Sequence, residues 1–244
     1  EAFDFKLFPL VHYWLLQEHQ VVLGAESPAA QQVSRGRSAA VHDILLQVVQ
    51  DPVFPFLLEH EVLADAQIEG ILIEVRQALL VTVVEQRHLE ATDDNFLAFL
   101  CALGLQCFFN EYVYAETAEE GALLQHVATL VSTALATHAP LKKDLVALLA
   151  AYRPLSTLPG MEALLQRQEL CQDPYLGRLL TVQLAEPFQE QALRQTIESL
   201  TPIHRDVSQQ VRAQYEENPY PRWHALNPQI PVPLREYITR LLPH

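Results

Sequence analysis

The stretch from Asn95 to Asn110 carries no charged residue and holds four Phe, four Leu and two Cys. So apolar a run has to be hidden from water around its whole circumference. It is nevertheless shorter than the ~20 residues that cross a bilayer as a helix. It is therefore expected to be the central helix of a globular body, the element its neighbours pack around. Asp93 or Asp94 is placed to cap its start, and its end delivers Asn110, Glu111 and Tyr112 to the edge of the core.

The flanking sequence supplies helices with abrupt ends. Sixteen prolines against seven glycines suit helix boundaries better than the tight turns of strands. Gln67 to Arg87 sets Ile68, Ile71, Leu72, Val75, Leu79 and Val83 on one face, with Ile73, Leu80 and Val84 widening it. Thr117 opens a Thr-Ala-Glu-Glu capping box with Glu120 at the third helical position, and the helix runs to about Thr137. Pro140 precedes a helix from Leu141 to Tyr152 that Pro154 ends. Shorter helices are expected over Met161 to Leu170, Pro174 to Leu184, Pro187 to Leu200, Ile203 to Glu217 and near Leu234 to Leu242. Upstream, Phe3 to Leu23 reads as a helix that Pro9 bends or begins, Gly24 to Ser38 as a loop or mobile insertion, and Ser38 as a cap for a helix reaching Gln50. Two Gln-Asp-Pro starts, at Gln50 and Gln172, combine an Asp that caps with a Pro suited to the first turn. No 34-residue period of tandem repeats is visible.

The segment SQQVRAQYEENPYPRW, Ser208 to Trp223, is the most particular in the chain. Ile203, Val207, Val211 and Tyr215 recur every four residues, giving a helix with one apolar stripe. Pro219 and Pro221 then force Asn218 to Trp223 into an extended, polyproline-like strap. The expected fold is all-α, an irregular array of about ten to twelve helices around the central apolar one, ending in this strap and a short C-terminal helix. Residues 1–217 form the helical domain, and 218–244 form the strap and a linker helix.

A formal charge of −14 argues against a nucleic-acid surface or an anionic membrane face, both of which need clustered Lys and Arg. Cys101 and Cys107, six apart on one helix, lie on different faces, which excludes an intrahelical bridge. With three cysteines in all, reduced thiols and a cytoplasmic compartment are the simplest reading. The opening Glu-Ala-Phe-Asp-Phe-Lys lacks the ordered regions of a secretory leader, although a start at Glu1 reads as a fragment.

The run YEENPYPRW resembles the segment preceding the methyltransferase domain in bacterial tetratricopeptide-repeat proteins that carry a class I S-adenosylmethionine-dependent methyltransferase domain. The Cys-Phe-x-Asn-Glu-Tyr-Val element at Cys107 to Val113, Tyr-x-Pro-Leu at Tyr152 to Leu155, Glu186-Pro187 and Leu200 to Ile203 fit the same pattern. Together they span about residues 40 to 240. The resemblance implies a cofactor-binding strand and Gly-rich turn after the strap, whereas this chain ends about twenty residues past Trp223. S-adenosylmethionine thus belongs to a possible further C-terminal domain and has no site on this chain.

The sequence holds no Gly-x-Gly-x-x-Gly, P-loop, Gly-x-Ser-x-Gly or Cys-x-x-Cys, so no catalytic or cofactor-binding residue is assigned. His12 and His19 point the same way but have no third ligand near them, and Glu59, His60 and Glu61 diverge around a helix, so no metal site is assigned either. The best constellation joins Asn110, Glu111 and Tyr112 to Tyr215, Asn218, Tyr220, Arg222 and Trp223. Glu111 could accept from Arg222 while Asn218 binds freed backbone groups. Such a network either holds the strap to the bundle or lines a groove for an extended peptide or a methyltransferase domain. Two functions are consistent with this: the non-catalytic, substrate-presenting or scaffolding part of a methyltransferase acting on a protein or peptide, and a stand-alone helical adaptor for a protein partner.

Overall fold

Helix-forming apolar periodicity, interrupted by prolines and polar caps, produces only helical elements in the computed structural model, which describes residues 49–51, 53–60, 62–63, 65–85, 93–197 and 206–217. These residues form nine α-helices: α1 (Val53–His60), α2 (Ala66–Val84), α3 (Asp93–Phe109), α4 (Ala118–Ala136), α5 (Lys143–Ala150), α6 (Gln168–Cys171), α7 (Leu176–Leu180), α8 (Glu186–Arg194) and α9 (Asp206–Glu217). No strand occurs among the described residues, and no helix among them is long and apolar enough to cross a membrane. The expected helix over Phe3 to Leu23, the Gly24 to Ser38 segment, the strap and the last helix lie outside the described residues. So does the helix leading to Gln50, except for its helical end at Val49 and Gln50.

α3 is the central element. It packs against α1, α5 and α7, and Phe99 to Leu103, Leu105 and Cys107 are fully buried. Its first residue is Asp93, so the two aspartates open the helix from inside its first turn, not from the capping position expected of them. Gly104 lets the neighbours approach: a Cβ there would sit 3.2 Å from Leu179 Cδ1 and 3.4 Å from Ala150 Cβ.

Caps fix the helix starts. Asp51 Oδ1 accepts from Val53 N–H at 2.8 Å, and Asp173 Oδ1 accepts from Tyr175 and Leu176 at 3.0 and 2.9 Å, so both Gln-Asp-Pro segments cap as expected. The Thr117 capping box forms in both directions. Asp65, which the sequence reading passed over, caps α2 through Gln67 and Ile68.

The Met161 to Leu170 helix resolves into a 3₁₀ segment, Met161–Gln166, followed by α6. From α7 to α8 the chain is helical without a break, because a π turn, Thr181–Ala185, joins them. Pro187 accounts for that turn. Its ring cannot donate and would collide with the carbonyl of Gln183 four residues back, and the wider turn accommodates both problems.

Gly177 sits where backbone meets backbone. A Cβ there would lie 2.3 Å from the Cys171 carbonyl oxygen, and no flexible side chain can yield. Gly177→Ala is therefore expected to destabilise the protein by about 1 to 3 kcal/mol, as for overpacked cores, despite alanine's better helix propensity. A denaturant midpoint at or above that of the wild type would contradict this.

The chain divides into two units, Glu1–Glu198 and Ser199–His244. In the second, α9 carries Val211 and Tyr215 one turn apart, 45 % and 60 % exposed.

Candidate functional site

The end of α3 makes an unusual corner. Tyr112 N–H donates to Cys107 C=O at 2.8 Å and Glu111 N–H to Phe108 C=O at 3.3 Å, the paired bonds of a Schellman ending. That ending needs a left-handed residue, commonly glycine, but here Glu111 occupies it at φ 58° and Tyr112 follows at φ 56°. Two consecutive non-glycine residues in this region hold only where surrounding contacts over-determine them.

Gln183 supplies those contacts for Tyr112. The Tyr112 hydroxyl lies 3.1 Å from Ala150 C=O and 3.2 Å from Gln183 Oε1. Gln183 is fully buried, and its amide N–H groups donate to Gly104 C=O at 2.9 Å and Ala150 C=O at 3.1 Å. Its Oε1 also accepts from Leu155 N–H at 3.3 Å. The π turn thus aims one amide at α3, the end of α5 and the Pro154-Leu155 bend. The Asn-Glu-Tyr element and the Tyr-x-Pro-Leu element, far apart in sequence, meet on it.

A second buried network lies on the α2 side. Arg76, 2 % exposed, donates to Ala115 C=O at 2.6 Å and Tyr114 C=O at 3.4 Å. Its guanidinium lies 4.1 Å from the centroid of the Tyr152 ring, within cation–π range. Tyr152 in turn donates to Glu120 Oε1 at 2.7 Å, and Glu120 Oε2 accepts from Thr117 N–H at 2.8 Å. A buried cation and a buried carboxylate are thereby joined through one phenol ring, each with hydrogen bonds to satisfy it. Beside them Arg153 grips Glu116 in a two-pronged pair at 2.5 and 2.8 Å.

Every titratable group that its surroundings displace is displaced away from neutrality. Burial raises Cys101, pushes Cys107 up to about 12, and raises Tyr114 and Tyr152. The Arg153 hydrogen bond holds Glu116 low. At Asp173 burial acts upward, but the Lys143 hydrogen bond and the Leu176 and Tyr175 N–H groups outweigh it. Acid–base catalysts are tuned the other way, toward the working pH. These groups act as fixed donors, acceptors and ion pairs.

Glu116 and Asp173 also set a pH response. Their folded pKa values lie below the unfolded ones, so their stabilisation is complete above the unfolded carboxylate value of roughly 4 and is lost as pH falls through the folded values. The urea midpoint should fall from about pH 5 toward pH 2, and the Glu116→Gln, Asp173→Asn double variant should show a flatter decline. An identical slope in that variant would rule out these two groups as its source.

Of the residues expected at the site, Tyr112 turns its hydroxyl inward and Asn110 buries its amide, whereas Glu111 is exposed. Tyr215 is exposed in the second unit, and Asn218, Tyr220, Arg222 and Trp223 lie outside the described residues. Glu59 pairs with Arg178 at 3.4 Å, while His60 lies against the Phe56 ring with its Nδ1 2.7 Å from Phe56 C=O, so those two side chains diverge. Arg76, Tyr114, Glu120, Tyr152 and Gln183 were missed as a set. Arg76 had a visible signal, a lone cation on the apolar face that Leu72, Val75 and Leu79 define. The fold and this corner define an all-helical protein whose polar interior is organised at the end of its central helix. Neither a family model, nor a curated protein, nor a solved structure matches the chain.

Proposed function

We propose that this chain is the helical, non-catalytic part of an S-adenosylmethionine-dependent methyltransferase, presenting a protein or peptide substrate or fixing the orientation of the methyltransferase domain in the cytoplasm. The observation that carries the reading is the meeting of the Asn-Glu-Tyr and Tyr-x-Pro-Leu elements on Gln183, with Glu186-Pro187 directly after its π turn. Segments that resemble one family in sequence thus form one structural unit. The displacement of buried thiols and phenols away from neutrality supports a binding role for this part over a chemical one. The charge of −14 favours a protein or peptide partner over a nucleic acid.

Reading the gene beyond His244 tests this directly, with a strand and a Gly-rich turn expected there. A natural stop codon just after His244, with no partner chain carrying the cofactor, would defeat the reading. Titration calorimetry of this chain with S-adenosylmethionine should give no binding heat. Micromolar binding would place the cofactor here and overturn the assignment of the chain as non-catalytic.

The stand-alone adaptor is the second reading. It is favoured by the exposed Val211 and Tyr215 on α9, whose spacing puts both on one face for a partner to cover. Cross-linking from position 215 in native extract distinguishes the two: a methyltransferase domain as the adduct supports the first reading, and an unrelated protein supports the second.

A further inference from the structure

Beside the Arg76–Tyr152–Glu120 network lies a cluster that protein groups do not close. Arg76 Nε, both amide atoms of Asn110 and the Tyr114 hydroxyl are buried without a hydrogen-bond partner. Buried polar groups are nearly always paired, and several unpaired ones at one place call for a guest that pairs them. These atoms share one neighbourhood. The Arg76 Cζ lies 5.6 Å from the Tyr114 ring centroid, and the Cys107 thiol, one helical turn before Asn110, lies against Arg76. Asn110 stands close enough to Tyr114 to favour its ionised form, although no direct hydrogen bond between them is formed.

We infer that this corner is a binding site for a single internal water molecule held by Arg76, Asn110 and Tyr114. The polar inventory selects it. Arg76 Nε–H and the Asn110 amide N–H need an acceptor, while Asn110 Oδ1 needs a donor, and the Tyr114 hydroxyl takes either part. An anion would serve the donors but leave Asn110 Oδ1 unpaired, and the Arg76 charge already acts on Glu116 and lies over the ring that binds Glu120. Water both donates and accepts, and internal waters make about three such bonds. Arg76 and Tyr114 are 2 % and 5 % exposed, so the guest sits behind side chains and exchanges only when the corner opens. The inference is independent of the methyltransferase reading. It gives Asn110 an inward role in place of the groove position expected from the sequence.

Magnetic relaxation dispersion of the water oxygen, recorded on the full chain, detects waters that stay longer than the protein tumbles. The amplitude in Asn110→Leu should be lower than in the wild type by the equivalent of a single molecule. Tyr114→Phe keeps the ring over Arg76 but removes one partner, so it should shorten the residence time; it serves as the test if Asn110→Leu does not fold. A crystal structure of the wild type should place an ordered oxygen within hydrogen-bond distance of the Asn110 amide and Tyr114 Oη. Equal amplitudes and residence times in wild type and variants would overturn the inference. So would a crystal structure in which the Asn110 amide bonds directly to the Tyr114 hydroxyl with nothing between them.

Discussion

Arg76→Met is expected to destabilise the protein by about 3 to 5 kcal/mol, the range for breaking one side of a buried charged network. The methionine fills much of the same volume but donates nothing. The carbonyls of Ala115 and Tyr114 lose a charged donor, and the Tyr152 ring loses the cation above it. Glu120, 3 % exposed, is left as a buried carboxylate with no cation nearby to offset its desolvation. Removing both ends should cost less than the sum of the parts. In a double-mutant cycle with Glu120→Gln, urea denaturation should show a coupling between the two positions of about 1 kcal/mol or more. A loss below about 1 kcal/mol in Arg76→Met alone would mean that the network is incidental to stability.

Gln183 should be the other position of large effect, with a sign that depends on pH. Gln183→Leu leaves Leu155 N–H without its acceptor and removes a partner from Gly104 C=O, Ala150 C=O and the Tyr112 hydroxyl. At about 1 to 3 kcal/mol for each group left unsatisfied, and with Tyr112 still able to reach Ala150, a loss of about 2 to 4 kcal/mol is expected. Gln183→Glu keeps the shape but points carboxyl oxygens at two carbonyls in a site with no exposure. Near pH 7 it should be the worse variant. Burial and the facing carbonyls raise the folded pKa of the introduced carboxyl, so the protonated form is favoured on folding. The deficit should then shrink as pH falls toward roughly 4, the unfolded carboxylate value, and grow as pH rises above it. Denaturant melts at several pH values measure this, and a deficit independent of pH would show that the introduced carboxyl does not titrate in the folded site.

Because both positions lie beneath the Asn110 to Tyr112 corner, they also affect the proposed function indirectly. A Tyr112 freed from Gln183 would have less to hold it at φ 56°, and the exposed Glu111 beside it would lose its fixed direction.

The sequence by itself determined the helical character and the hierarchy of the core. Asn95 to Asn110 has no charge to place in water, so no arrangement but a central one suits it, and the Thr117 capping box, Asp51 and Asp173 act through backbone groups two or three residues away. Such short-range effects can be read along the chain. The site was legible only in part. Asn110, Glu111 and Tyr112 could be placed at the end of the central helix from periodicity, but the direction each side chain takes was decided by tertiary contacts. Tyr112 is turned inward by Gln183, seventy-one positions away, and that amide is aimed by a π turn that Pro187 makes necessary. Arg76, read as one interruption of an apolar face, becomes the centre of a network only once α2, the Tyr114 bend and the end of α5 come together. Local hydrogen bonds and apolar periodicity are properties of neighbouring residues; pairing a buried charge or amide with distant partners is a property of the packed chain, and only the tertiary structure decided it.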